Sequence, residues 1–434
     1  MHASGWWQRR PVAVIGAGVT GASWAGLFAA HGLSVRLWDG NEAALARALG
    51  RAREAARFLV AAGLADAAQA ERGMTALAAA GDAAAALRDV ALVQECVTED
   101  VEIKRSVFAC AGVHAPDDAL LATSSSGLSI SAIQTAAARP ERCLAAHPYN
   151  PPHLVPLVEL APGASTAPGT LALAEAFYRF VGKEPVIVGR DLPGYVGNRL
   201  SAALWREAID LVRTGVATVE DVDRVMTAGP GLRWAVMGPH LVYHLGGGPQ
   251  GIRGHLAHLS GIKEGILADL ATWTAFPEDS AAVLEEGVET EAGGRSLEEL
   301  AGERDGRLAT VLSALGKSAA AGPVPRAVAG ATRAPDAVEV APGVYRRTIA
   351  AVNSMMMVRF DVERGGNIPM HSHPHEQVGF LVHGRGVLVS ESGERPVAAG
   401  DTWSMPGGVV HGARFDDSAA VVIEVFSPPR EDYR

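Results

Sequence analysis

Ser126, His147, Asn150, Glu159 and Asn198 follow a glycine turn, Gly16-Ala17-Gly18-Val19-Thr20-Gly21, and these residue types in this order suit an oxidation. A histidine titrating near neutrality can take the proton of a hydroxyl while hydride leaves the carbon. A carboxylate on its second ring nitrogen, here Glu159, fixes the tautomer and stabilises the imidazolium that forms. Ser126 and Asn198 are candidates to hold the substrate hydroxyl and the carbonyl that develops from it. A second chemistry stands near the far end of the chain, where His371, His373, Gln377 and His411 are spaced like a metal site.

In that second set, His371 and His373 stand at i and i+2, so on a strand both point to one face and into a barrel. Gln377 and His411, from neighbouring strands, complete four ligands. Three imidazoles and a neutral amide suit Fe, Mn, Ni or Zn, and ligand type does not choose among them. His375 and Glu376 are adjacent alternatives. The run His240, His244, His255 and His258 has no accompanying carboxylate pattern and reads as pocket edge or surface.

The elements that must hold these residues are legible in outline. Pro11 to Ile15 reads as a strand, Ala22 to His31 as a helix and Ser34 to Trp38 as a second strand ending at Asp39. With the glycine turn between the first two, this is the βαβ unit of a doubly wound sheet. Gly16 permits the tight turn, Gly18 lets backbone approach a pyrophosphate, and Gly21 lets helix and strand pack closely. The phosphates would sit on the helix amino terminus. Asp39 would accept from the adenosine ribose hydroxyls and repel a 2′-phosphate, which favours NAD over NADP; an FAD site is the competing expectation. Asn41 to Gly63 and Asp66 to Ala86 read as Ala-rich helices. Val90–Glu95, Leu120–Thr123, Arg142–Ala146 and Leu157–Leu160 read as further strands.

From Asp191 the pattern turns helical. Tyr195 to Arg213 has helical periodicity, Thr218 to Asp221 opens another helix, and no strand is expected before about Leu315. Ser318 to Pro335, rich in Ala, Gly and Pro, reads as a linker. Beyond it, Met355–Phe360, Gln377–Leu381, Gly386–Ser390, Asp401–Met405 and Ala420–Phe426 read as strands of a small all-β barrel. The expected architecture is multidomain. Residues 1–190 form a Rossmann-type α/β domain, 191–317 an all-α domain, 318–335 the linker and 336–434 the barrel.

A chain of 434 residues is too long for one core, and 48% apolar with 20% charged residues is an ordinary globular mixture. The net charge of −10 argues against nonspecific nucleic-acid binding. Cys96, Cys110 and Cys143 lack CxxC spacing and fit reduced cysteines of a cytoplasmic protein. No apolar run has the length of a signal peptide or of a membrane span.

The first ~315 residues resemble the 3-hydroxyacyl-CoA dehydrogenase superfamily, most closely its L-gulonate 3-dehydrogenase (lambda-crystallin) branch. The stretches that carry the resemblance are Val93 to Val97 through Lys104-Arg105, Ser124 to Ser126, His147 to Pro152 with Pro156 to Leu160, and Gly194 to Leu200. Gly231 to Trp234 with Gly238-Pro239 completes them. The resemblance implies His147 as catalytic base, Glu159 as its partner, Ser126 and Asn198 as substrate contacts and Asn150 as support of the polar network. It places Glu99 and Lys104 along the NAD site, and it implies a homodimer formed through the helical domain. The substrate it implies is a small gulonate-like hydroxy acid, with Arg233 a candidate for its carboxylate. Trp234 stands where gulonate enzymes tend to carry Tyr and also resembles the carnitine 3-dehydrogenase branch, since an aromatic face holds a quaternary ammonium by cation–π attraction. A 3-hydroxyacyl-CoA is the third expectation, weakened by the absence of lysine from 41–86.

Gly365 to Gln377 and Gly400 to His411 resemble the two cupin motifs. With the carboxy-terminal Val425 to Tyr433, they resemble the cupin group containing the pectin-degradation protein that opens unsaturated uronates. Arg430 is then a candidate carboxylate contact. Two modules that each resemble sugar-acid enzymes imply a bifunctional protein in which tethering raises the local concentration of a shared intermediate. A non-catalytic sensing or dimerising cupin is the alternative.

Overall fold

The computed structural model describes residues 5–316, 338–352, 354–415 and 417–433, and the chain divides into two compact units, Met1–Ala320 and Ala321–Arg434. The linker expected at 318–335 lies outside the described residues.

The first unit is built on eight strands: β1 Val12–Ile15, β2 Val35–Trp38, β3 Leu77–Ala79, β4 Leu92–Glu95, β5 Leu120–Thr123, β6 Cys143–Pro148, β7 Leu157–Pro162 and β8 Glu184–Ile187. They form one sheet ordered β3-β2-β1-β4-β5-β6-β7-β8. β1 to β6 run parallel; β7 pairs antiparallel with β6, and β8 parallel with β7. Around it pack α1 Val19–Ala30, α2 Glu42–Ala61, α3 Ala67–Thr75, α4 Ala83–Leu87, α5 Val101–His114, α6 Ile130–Ile133 and α7 Pro168–Phe180.

The central strands β1, β4, β5 and β6 are buried at every position, as expected of a sheet covered on both faces. Val12 and Val14 join the core under α1, with Trp24, Phe28, Phe177 and Tyr178, while Ala13 and Ile15 join Phe108, Ile130 and Ile133 on the other side. Each large apolar side chain so buried stabilises the fold by about 1.5–3 kcal/mol. The Ala-rich run expected as one helix over 66–86 is broken. α3 and α4 flank β3, an edge strand that pairs with β2 through Leu77 and Val35. Alanine has low strand propensity, and pairing with β2 overrides it.

Helices continue the unit: α8 Gly197–Arg213, α9 Val219–Ala228, α10 Pro230–Val236, α11 Pro239–Gly246, α12 Gly251–Asp269, α13 Ser280–Ala292 and α14 Leu297–Ala314. Thr218 caps α9 by accepting from the Asp221 N–H, and Ser296 forms a capping box with Glu299 at α14. α14 returns to the sheet domain, where Ala309 and Leu312 join the core under α1. No described helix is long and apolar enough to cross a membrane.

The second unit is all β: β9 Val338–Ala341, β10 Val344–Ala351, β11 Met356–Val362, β12 Gly366–His371, β13 Glu376–His383, β14 Arg385–Ser390, β15 Gly393–Ala398, β16 Thr402–Met405, β17 His411–Phe415 and β18 Ala420–Ser427. A six-stranded sheet, β16-β13-β18-β11-β10-β9, and a four-stranded sheet, β12-β17-β14-β15, share one core. Burial alternates along β11, β13 and β18, so every second residue points inward. Phe360, Trp403, Phe415 and Phe426 fill much of the interior and leave a cavity of about 190 Å³.

Candidate active site and metal centre

The turn after β1 has the geometry a pyrophosphate needs. Gly16 adopts φ +109°, outside the range of most side chains, and a Cβ on Gly21 would stand 1.9 Å from the Gly16 carbonyl oxygen. A Cβ on Gly18 would meet nothing within 4 Å, so that side of the turn is open. Gly18 caps α1 without a side-chain acceptor, which leaves the first N–H groups available to an anion. Asp39, just past β2, accepts from the Ala17 N–H at 2.7 Å and from the Asn41 N–H at 2.8 Å. Its carboxylate is thereby held beside the turn. The residues present fit a dinucleotide with free ribose hydroxyls.

Glu99 lies beyond β4 and accepts from the Gly127 N–H at 3.0 Å, the Leu128 N–H at 3.3 Å and the Ser125 hydroxyl. Lys104 is only 1% exposed; its ammonium lies 2.8 Å from Glu95, 3.3 Å from Glu99 and 3.2 Å from the Val97 carbonyl. It reaches the cleft only through Glu99. The sequence reading missed Glu95, a fully buried carboxylate that holds this lysine and accepts from Thr123 at 2.5 Å.

The antiparallel register of β6 and β7 sets His147 directly opposite Glu159. The His147 Nδ1–H donates to Glu159 Oε2 at 3.0 Å, which leaves the lone pair on Nε2. The other carboxylate oxygen accepts from the Val196 and Gly197 N–H groups, at 2.8 and 3.0 Å, and so caps the first turn of α8. Burial by itself would push the Glu159 carboxyl up; the bonds from His147 and the two backbone donors outweigh it and hold the group below the usual carboxylate range. Asn198, one residue into α8, brings its Nδ2 to 3.4 Å from His147 Nε2. A single helix start therefore fixes the carboxylate and delivers the amide.

Two rings hold the imidazole. Tyr149 meets it edge-on at 5.9 Å and Tyr195 lies tilted against it at 5.2 Å. Tyr195 is buried, takes a left-handed φ of +45°, and its hydroxyl has no hydrogen-bond partner among the described residues. The sequence gives no sign of this role, because nothing local marks a tyrosine for φ > 0. Ser126 and Asn150 are exposed on the loops after β5 and β6, at the same carboxyl edge of the sheet as the glycine turn. The Ser126 carbonyl accepts from the Gly194 N–H at 3.0 Å. Arg233 is exposed and Trp234 half-buried on α10.

In the second unit, His371 ends β12 opposite His411 on β17, whereas Gln377 belongs to β13 in the other sheet. His411 thus comes from the neighbouring strand, as expected, whereas Gln377 does not and reaches the cluster from across the barrel. His373 lies past the end of β12, so its convergence comes from the bend and not from strand alternation. The ligand atoms of the three histidines lie within 4.8 Å of one another. Gln377 Oε1 is 3.0 Å from His373 Nε2 and 3.2 Å from His411 Nε2.

This arrangement calls for a cation. The Nδ1 atoms of His371, His373 and His411 face the carbonyls of Pro369, His375 and Val409 at 2.9, 3.2 and 2.8 Å. A neutral imidazole has one N–H, and in His373 and His411 both ring nitrogens face oxygen acceptors. Burial holds these two rings below the usual imidazole range and so disfavours a second proton. One end of each ring then meets an acceptor with no proton between them, unless a metal ion sits at the Nε2 side. The donor set fits the ion. His375 and Glu376, the adjacent alternatives, are not in this cluster.

The cavity beside these ligands is lined also by Trp403, Glu424 and Arg430. Glu424, in the middle of β18, is buried, and burial pushes its carboxyl up to about 7 against the opposing effects of Gln377, Arg430 and Trp403. A glutamate inside the apolar run Ala420 to Phe426 is the signal by which the sequence could have disclosed it.

Residues 11–192 match the profile of the 3-hydroxyacyl-CoA dehydrogenase NAD binding domain, 194–289 that of the 3-hydroxyacyl-CoA dehydrogenase C-terminal domain, and 358–426 that of a cupin domain. An L-carnitine dehydrogenase of Streptomyces coelicolor is 40% identical over 309 residues, 71% of this chain and 95% of its own. A 3-hydroxyacyl-CoA dehydrogenase of Gibberella moniliformis is 36% identical over 71% of this chain and 96% of its own. The crystal structure of FHMPC 5-dehydrogenase, an NAD+-dependent dismutase, superposes with a TM-score of 0.61 at 31% identity, over 71% of this chain and 98% of that one.

Proposed function

The chain belongs to the 3-hydroxyacyl-CoA dehydrogenase family, and from that premise we propose that its first unit oxidises the 3-hydroxyl of a small trimethylammonium hydroxy acid of the carnitine type. The observation that carries the reaction is the placement of His147, Glu159 and Asn198 at the carboxyl edge of the sheet that bears the glycine turn. The substrate class rests on the relatives. The names they carry favour the carnitine expectation over the gulonate-like one with which the sequence reading led.

Gly16, Gly18, Gly21, Asp39 and Glu99 hold the dinucleotide, with Lys104 fixing Glu99. NAD, when bound there, would supply the acceptor for the hydride of the carbinol carbon. His147 takes the hydroxyl proton at Nε2, and Glu159 stabilises the imidazolium so formed. The Asn198 amide moves from Nε2 to the oxygen that becomes a carbonyl, with Ser126 as second donor and Asn150 as support. Arg233 binds the carboxylate, and the face of Trp234 takes the quaternary ammonium.

The second unit holds one divalent metal (Fe, Mn, Ni or Zn) on His371, His373, Gln377 and His411. That ion supplies Lewis-acid chemistry to a related small acid, whose carboxylate Arg430 meets. The helices α8 to α14 cover their apolar surface by pairing with a second copy. Leu200 and Trp205 on α8, 65% and 54% exposed, support that reading.

A panel of carnitine, other betaines, sugar acids such as gulonate, and 3-hydroxyacyl-CoA esters, assayed for NADH with His147→Ala as control, tests the substrate. Carnitine-class turnover well above the control is expected. Turnover confined to gulonate or to CoA esters would replace the proposed class, and none at all would remove it. Light scattering is expected to give twice the 45.1 kDa chain mass, and a Trp205→Glu variant to shift towards the monomer.

A further inference from the structure

We propose that Glu424 is a positioning residue that dictates which end of the Gln377 carboxamide faces the three imidazoles. The proposal rests on the metal reading of the cupin and deepens it.

An amide has a donor end and an acceptor end of nearly the same shape, so a buried glutamine can sit either way round unless its neighbours distinguish them. Only the oxygen can ligate a cation. Turned the other way, Gln377 would present N–H groups to the lone pairs of His373 and His411. It would then satisfy those rings by itself and close the site to metal. The imidazoles therefore do not decide the matter; the group behind the amide does. That group is Glu424, whose Oε1 accepts from Gln377 Nε2 at 2.6 Å.

Residue 424 is in turn told which way to behave. Its other neighbours are the Trp403 indole N–H, hydrogen-bonded to it, and the Arg430 guanidinium. Neither neighbour offers an acceptor, so both favour residue 424 in the acceptor role. Trp403 reaches this position because β13 carries Gly379 opposite it: a Cβ there would stand 2.1 Å from the indole. An acceptor at Glu424, an amide N–H and then an amide oxygen make one ordered chain, ending where three ring nitrogens converge.

Breaking the order has a specific consequence. In Glu424→Gln the new amide turns its oxygen to Trp403 and Arg430 and its NH₂ to Gln377. Gln377 must then reverse and withdraw its oxygen from the site. In a Gln377→Glu background the logic inverts. Two carboxylates now face each other across a short gap, and Glu424→Gln supplies the N–H that relieves them. The same substitution is thus expected to weaken metal binding in one background and strengthen it in the other.

The test is a double-mutant cycle on the full chain, stripped of metal and titrated with Zn²⁺, Ni²⁺ and Mn²⁺ against a chromophoric chelator. Orientation by a neighbour of a ligand is typically worth about 10–100-fold in metal affinity, so Glu424→Gln is expected to lose that much. In Gln377→Glu, adding Glu424→Gln is expected to raise affinity. A loss of similar size in both backgrounds means a structural role only and overturns the proposal, as does unchanged affinity in Glu424→Gln. A wild-type chain that takes up none of the three ions overturns the metal reading and this inference with it, an outcome distinct from the others. The Gln377→Glu, Glu424→Gln double variant also guards against a folding defect, because restored affinity requires a folded barrel.

Discussion

At the scale of single residues, the proposed dehydrogenase site depends on which atom of residue 159 faces which partner. Its one oxygen must accept from two backbone N–H groups, while the other must accept from His147. Glu159→Gln keeps the shape but supplies only one acceptor. The Gln oxygen goes to the two backbone donors, its NH₂ faces His147 Nδ1, and the ring is driven to the tautomer with the proton on Nε2. A base with its lone pair on the wrong side cannot take the hydroxyl proton. Turnover is expected to fall by about 10³–10⁴-fold, nearly as far as in His147→Ala, with little change in melting temperature. NADH formation under saturating substrate measures it; a loss below tenfold would show that residue 159 does not set the tautomer. The cupin obeys the same rule with an amide in place of the carboxylate.

At the scale of elements, the connection between β6 and β7 is tied to α1 by a hydrogen-bonded pair. Ser23 on α1 accepts from the His153 N–H and donates to His153 Nδ1, both at 2.8 Å, and the ring packs edge-on against Phe58 of α2. Burial lowers the His153 imidazole from its ordinary value near 6.5 to about 4. The folded state therefore binds its proton less readily than the unfolded chain, so stability is fully present above pH ~6.5 and is lost as pH falls towards 4. The shift corresponds to about 3 kcal/mol over that window. Melting temperature is expected to drop with pH across it, and His153→Asn to flatten the drop. Parallel pH profiles for the two proteins would place the acid sensitivity elsewhere. Of the helices, α8 was read from its periodicity and α9 from the cap at Thr218, which are local signals. β3 and β8 were not read, because short Ala-rich or half-exposed strands exist only by pairing with neighbours.

At the scale of the whole molecule, two units with separate cores and separate proposed ligands predict two ligand-specific stabilities. A ligand that binds only the folded form of one unit raises the transition of that unit alone. In calorimetry of the full chain, NAD is expected to raise one unfolding transition and a chelator to lower the other. NADH formation should be indifferent to the chelator. A single transition moved by both, or oxidation abolished by chelation, would contradict the assignment of NAD to the first unit and metal to the second.

Sequence alone determined what depends on neighbours along the chain. The βαβ turn was legible because three glycines and Asp39 do their work within one unit of structure, and the His147 and Glu159 pair because two adjacent strands carry them. Tertiary structure decided what depends on contacts between remote segments. It put Asn198 against His147 and set Tyr195 on that ring. It brought His373 round a bend rather than along a strand, and Gln377 across from the opposite sheet. It also backed Gln377 with Glu424. Backbone hydrogen bonding and residue propensity act over a few positions and leave a periodic trace, whereas side-chain convergence inside a barrel is set by packing among strands far apart in sequence and leaves none.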